Sequence, residues 1–189
     1  MIQAPNGGWP AIIRAVAIAV CSLSSVACSV SPCRLTRLTA QPAADRPGEF
    51  IAAQGRLEVI FHSDSTTAPI EVFPEPPVIV TDTVRETECR IEEGGIWIRD
   101  AVYVSKLGQT LMLKEYSGSN DWLAFYRTDD CVKIAEIDVS GARWAVVESR
   151  VVVGSDCSND DLASCRSVRS IDLDGACRAP AGSNWNRKK

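Results

Sequence analysis

The sequence predicts a mainly β fold: a single antiparallel, meander-rich domain, arranged as a sandwich, a barrel or a propeller-like sheet, with at most one short helix. The first observation behind this is spacing. TLMLKEY, DWLAFYR, CVKIAEIDV, RWAVVE and RVVVG succeed one another between residues 110 and 154, separated by turn-formers at 117–120, 128–130, 140–141 and 149. Short runs rich in β-branched and aromatic residues, punctuated this regularly, read as strands. The second observation is what the spacing leaves out: parallel pairing needs crossovers of about a dozen residues or more, and none fits here. The third is bulk. A chain of 189 residues, 46% hydrophobic and 23% charged, can bury a core of its own, and seven to nine strands would build it.

The elements follow in chain order. Arg14 is the only charged side chain ahead of Cys28, and residues 15–27 (AVAIAVCSLSSVA) are apolar or small. That is the anatomy of a secretory signal peptide, and the stretch falls short of the about 20 apolar residues that a membrane-spanning helix needs. Ser25-Val26-Ala27-Cys28 resembles a bacterial lipobox, in which a small residue precedes a Cys that receives a diacylglycerol thioether and becomes the mature N-terminus. Ser25 stands where that family carries Leu, Val or Ile, and Leu23 lies two positions too early, so ordinary cleavage after Ala27 stays open. The resemblance implies lipidation at Cys28, an outer-membrane destination from Ser29, and an exported envelope protein facing the periplasm. Multiple acyl chains would make the anchor stable. The resemblance covers this segment alone, and residues 51–177 suggest no family.

Residues 28–50 mix Pro, Ala, Thr and Arg without periodicity and read as a flexible tether. Residues 51–177 read as the β domain, and 178–189 as a basic disordered tail. Within the domain, Leu57, Val59 and Phe61 alternate with Arg56, Glu58, Ile60 and His62, a strand pattern. Pro69, Pro74, Pro76 and Pro77 confine the next stretch to edge strand or extended loop, after which Val78-Ile79-Val80 and IWIRDAVYVS continue as strands. Ser158-Asn159-Asp160-Asp161 opens a capping-box pattern, with Leu162, Cys165 and Arg169 at helical spacing, and this is the one helix expected.

Cysteines carry the compartment. Cys21 leaves with the leader and Cys28 is taken by lipid, leaving Cys33, Cys89, Cys131, Cys157, Cys165 and Cys177 as disulfide candidates in an exported protein. Cys157 with Cys165 closes a short local loop, Cys89 with Cys131 is the looser assignment, and Cys33, placed in the tether, is left unpaired. No CxxC occurs, so neither a zinc ribbon nor a thioredoxin-type site is supported.

Other chemistry is thin. One His in the whole chain limits metal ligation and proton shuttling, and His62, beside Glu58 on a strand's charged face, reads as a surface residue. Asp156, Ser158 and Asp160 match the first ligand positions of a calcium loop, but Asp161 occupies the Gly position and Ser167 the closing Glu. A helix cap explains those acids better. Glu92 with Glu93, and Glu136 with Asp138, are carboxylate pairs of the kind glycosidases use, here ascribed to an acidic surface. Asp100 shares a face with Ile96, Ile98, Val102 and Val104 if its strand is continuous, which would bury an acid needing a partner. A turn or bulge at Arg99-Asp100 would put it in water instead, and that reading is preferred. Trp97, Trp122 and Trp144 read as core aromatics, with an exposed binding platform as the alternative.

Charge completes the functional expectation. Residues 51–177 hold 12 of the 20 bases and 22 of the 24 acids, a net of −10. Such a body disfavours nucleic acid and attracts basic proteins. The sequence therefore predicts a lipid-anchored binding or inhibitory module for a basic protein partner, such as a cell-wall hydrolase or a toxin. It predicts no enzyme activity, cofactor or metal. The alternatives are a small-ligand carrier or envelope-assembly component and, last, a carboxylate-based hydrolase.

Overall fold

The computed structural model describes residues 33–64 and 70–180; the leader, Cys28, Pro69 and the chain from residue 181 onward lie outside the described residues. Among the described residues there are fourteen strands: β1 (Leu35–Leu38), β2 (Gln41–Pro42), β3 (Glu49–Gln54), β4 (Leu57–His62), β5 (Val72–Phe73), β6 (Glu75–Asp82), β7 (Thr87–Ile91), β8 (Ile96–Ser105), β9 (Thr110–Ser117), β10 (Asn120–Arg127), β11 (Lys133–Asp138), β12 (Arg143–Val147), β13 (Arg150–Cys157) and β14 (Cys165–Asp172). They form three antiparallel sheets, none closed on itself: β2-β3-β4-β6-β7, then β1-β8-β9-β10-β11 with β5 also on β8, then β12-β13-β14.

The middle sheet is buried on both faces, and residue alternation shows how. Along β9, Leu111 and Leu113 enter one core while Met112 enters the other; along β10, Ala124 and Tyr126 face the first and Leu123 and Phe125 the second. The first core is completed by Phe50, Val59, Phe61, Val78 and Val80 of the N-terminal sheet, where Phe61 stacks on Phe73 with centroids 4.7 Å apart. The second is completed by Val151, Val153 and Ile171 of the C-terminal sheet. Strands buried on both faces read as continuous apolar runs rather than strict alternation, which is why TLMLKEY and DWLAFYR stand out in the sequence.

Four local expectations change. The tether is structured: β1 and β2 lie within residues 28–50 and β3 begins there, because Leu35 and Phe50 are buried and β1 pairs with the far end of β8, Leu35 opposite Ser105. Pro76 and Pro77 do not mark an edge. They sit in β6, between β4 and β7, at a bulge where the β4 ladder shifts between Ile60 and His62, so no ladder N–H is demanded of them. The helix is replaced by a single 3-10 turn, Leu162–Ser164, capped by Asp161, and the chain then returns as β14 with Cys165 opposite Cys157. Residues 178–180, placed in the basic tail, belong to the folded body: Arg178 pairs with Asp174 at 2.8 Å and Ala179 is buried.

Three disulfides tie the layers. Cys89–Cys131 joins β7 to the turn before β11, and Cys157–Cys165 links β13 to β14. Cys33 is not unpaired: it is bonded to Cys177 across a separation of 144 residues.

Candidate functional site

A groove of about 770 Å³ lies where the middle sheet meets the C-terminal sheet. Its floor is aromatic. Tyr103 of β8 and Trp144 of β12 meet edge to face, centroids 5.9 Å apart at 63°, an arrangement the ring quadrupole favours. Local sequence explains the placement: Ala101 and Tyr103 alternate inward on β8, and Trp144 and Val146 on β12 pack against the same core. Burial, opposed by Arg37 and reinforced by Asp100, pushes the Tyr103 phenol above its ordinary range, which keeps it a neutral donor.

The rim is charged and largely paired. Arg37 donates to the Asp100 carboxylate at 2.5 Å and to its carbonyl at 2.6 Å. Lys114 faces Asp121 at 3.5 Å, and Arg143 pairs with Asp160. Asp161, also on the rim, accepts from Ala163 N–H at 2.9 Å. Four acids thus face three bases around an apolar floor. β12 is the outer strand of its sheet, so one wall of the groove is a sheet edge.

Against this geometry the comparisons with known proteins are decisive. The family model described as "Immune protein Tsi1" matches residues 33–177. A curated protein of that description from Pseudomonas aeruginosa (strain PAO1) is 32% identical over 155 residues, 82% of this chain and 90% of its own length. The chain belongs to the Tsi1 immune protein family. The folded body therefore has a family where its sequence suggested none, and the matched span begins at Cys33, ahead of the domain boundary drawn at 51. The body is an inhibitory binding module, as the sequence anticipated.

Within this Tsi1-family fold the residues singled out from sequence scatter. Trp97 is fully buried in the first core, Trp122 is half-buried on β10, and only Trp144 reaches the groove. Asp100 sits at a bulge, where the β8–β9 ladder shifts between Trp97 and Val102, and is 56% exposed. His62 lies half-buried, opposite Glu49. Glu92 and Glu93 are exposed. Glu136 is met by Lys133 at 3.7 Å, and Asp138 accepts from Ser140 N–H at 2.8 Å. The calcium-like acids serve structure instead: Asp160 holds Arg143 and Asp161 caps the 3-10 turn. Among the described residues no group of three or more His, Cys, Asp or Glu side chains is placed to hold a metal.

Sequence reasoning missed Tyr103 and Arg37. Tyr103 was hidden inside an apolar run, and Arg37 inside the supposed tether.

Proposed function

We propose that this protein neutralises a toxin by binding it non-catalytically through the Tyr103–Trp144 groove, and that the toxin presents a basic surface there. Membership of an immune protein family supports the toxin. The groove supports the site: aromatic residues and charge-assisted rim contacts are what protein interfaces concentrate at their hot spots. The net of −10 over residues 51–177 supports the partner's sign, because it steers cationic proteins at low ionic strength. The reading includes export, with Cys28 lipidated and the domain held in the cell envelope; three disulfides suit an oxidising compartment.

The test is binding of a candidate toxin in vitro and protection of cells that express it. Trp144→Ala is expected to weaken toxin binding by about 2 kcal/mol or more, the size of a hot-spot truncation, with thermal stability little changed because Trp144 is half-buried at a sheet edge. Full protection and unchanged affinity in Trp144→Ala and in Asp100→Lys would refute the groove. Cys28→Ser separately tests the anchor by releasing the protein to the soluble fraction.

A further inference from the structure

A second surface lies away from the groove and shares no lining residue with it. The β3–β4, β6–β7, β8–β9 and β10–β11 turns and the segment after β14 converge on a pocket of about 290 Å³. Arg56, Arg85, Arg127 and Arg178 all line it, against Asp82 and Asp129. Counted with Asp130 and Asp174, which pair with Arg127 and Arg178 from behind the lining, the four cations are matched by four acids.

The guanidiniums are held in place. Arg56 and Arg178 reach Asp82 and Asp174 through Nε, at 2.9 and 2.8 Å, and Arg127 grips Asp130. Asp130 and Asp174 are not part of the lining, so two of these guanidiniums are fixed from outside the pocket. A guanidinium carries five N–H donors, and contact through Nε leaves the terminal nitrogens of Arg56 and Arg178 for another acceptor.

The same turns expose apolar side chains. Val84 is 74% exposed, Leu107 67% and Val132 48%. A partner that covered them would remove this apolar surface from water. These turns are also rigid. Thr83 N–H donates to Arg56 O at 2.8 Å and Thr128 N–H to Gln109 O at 3.2 Å, Thr128 Oγ1 donates to Gly108 O at 2.5 Å, and Thr110 Oγ1 donates to Ala176 O at 2.6 Å. Cys131 is fixed to Cys89. A surface ordered in advance loses little entropy on binding.

From the convergence of apolar turn tips on an arginine-lined, pre-organised pocket, we infer that this end of the molecule is a second docking surface. Its occupant is a protein segment that presents a carboxylate between apolar side chains. The carboxylate takes the open edges of Arg56 and Arg178 as charge-assisted hydrogen bonds, and the flanking residues cover Val84 and Leu107. The occupant's charge is opposite in sign to that expected at the groove.

The experiment titrates the 15N-labelled protein with acetyl-Leu-Leu-Glu-Leu-Leu-amide and with the same peptide carrying Gln or Lys at its centre. The Glu peptide is expected to move amides of residues 83–87, 106–110 and 128–132 saturably, with at least roughly tenfold higher affinity than the Gln peptide. Arg56→Gln with Arg178→Gln should abolish that preference. Leu107→Ser, on an exposed turn tip where the fold is not at risk, should weaken binding of the Glu peptide while leaving the rest of the spectrum in place. Equal response to all three peptides, shifts confined to the groove around Ala145, or no saturable shift at millimolar peptide would each overturn the proposal. None of these outcomes bears on the groove, whose own test is toxin binding by Trp144→Ala.

Discussion

Asp82 shows what one side chain does in this fold. It is 9% exposed, its Oδ1 accepts from the N–H groups of Val84 and Arg85 at 3.1 and 3.0 Å, and its Oδ2 meets Arg56 at 2.9 Å and Arg85 at 3.8 Å. Burial works against the charge, but the two backbone donors and two guanidiniums together outweigh it and hold the carboxyl below its ordinary range. Asp174 is lowered in the same way by Arg178 and Ala176 against burial, and Asp130 chiefly by its hydrogen bond from Arg127. A carboxylate with a depressed folded pKa stabilises the protein above the unfolded value of about 3.9 and stops doing so as pH falls through the lower folded value. The melting temperature is therefore expected to fall as pH drops below about 4. Asp82→Asn, which keeps an acceptor for the turn but loses the charge, should melt lower at pH 7 and show a shallower dependence in that acid range; melts at both pH values check it. An acid slope equal to wild type would mean Asp82 is not one of the groups responsible. Residues of this kind were only half legible in the sequence. The bulge at Arg99-Asp100 that puts the acid in water was readable from the cost of burying a carboxylate, whereas its partner Arg37, 63 residues away, was not.

Legibility at the scale of elements followed how local their cause is. β9 to β13 coincide with the five runs read from residues 110–154, because two-sided burial makes β9 and β10 apolar runs and the turns between all five strands are short. β1 escaped notice because little of its sequence is buried and it pairs with the distant β8, and β2 because it is two exposed residues long. β14 was misread for a different reason: Leu162, Cys165 and Arg169 do fall at helical spacing, but the disulfide to Cys157 and the ladder from Ser155–Ser167 to Arg150–Asp172 commit the chain to a hairpin. Gly154 reports on that commitment. A Cβ there would meet Cys165 Sγ at 2.5 Å, Cys165 Cβ at 2.9 Å and Leu162 Cδ2 at 2.9 Å, and two of those atoms belong to a cross-linked residue that cannot swing aside. Gly154→Ala is accordingly expected to destabilise by about 1–3 kcal/mol, the range for overpacking, and urea denaturation measures it. A neutral result would mean that the hairpin and its 3-10 turn shift as a unit.

For the molecule as a whole, the disulfides decide where it can be folded. Cys33–Cys177, Cys89–Cys131 and Cys157–Cys165 span 144, 42 and 8 residues. Chain-entropy reasoning assigns their loss about 5, 4 and 2.5 kcal/mol in that order. The paired Cys→Ser variants should therefore lose stability in the same ranking in urea, the Cys33/Cys177 pair most; an inverted ranking would show that strain or residual structure, not loop closure, sets the effect. A domain of this size is stable by only about 5–15 kcal/mol, so removing all three constraints at once approaches or exceeds the whole margin. Reduction should unfold the two-core sandwich cooperatively, since the second core is sealed by Cys33 and Cys177 and the first by Cys131. An immune protein built this way would acquire its groove and its turn-end pocket only under oxidising conditions. Circular dichroism with and without dithiothreitol tests this directly: a fully reduced chain that keeps its β signal and its toxin affinity would uncouple the fold from its compartment.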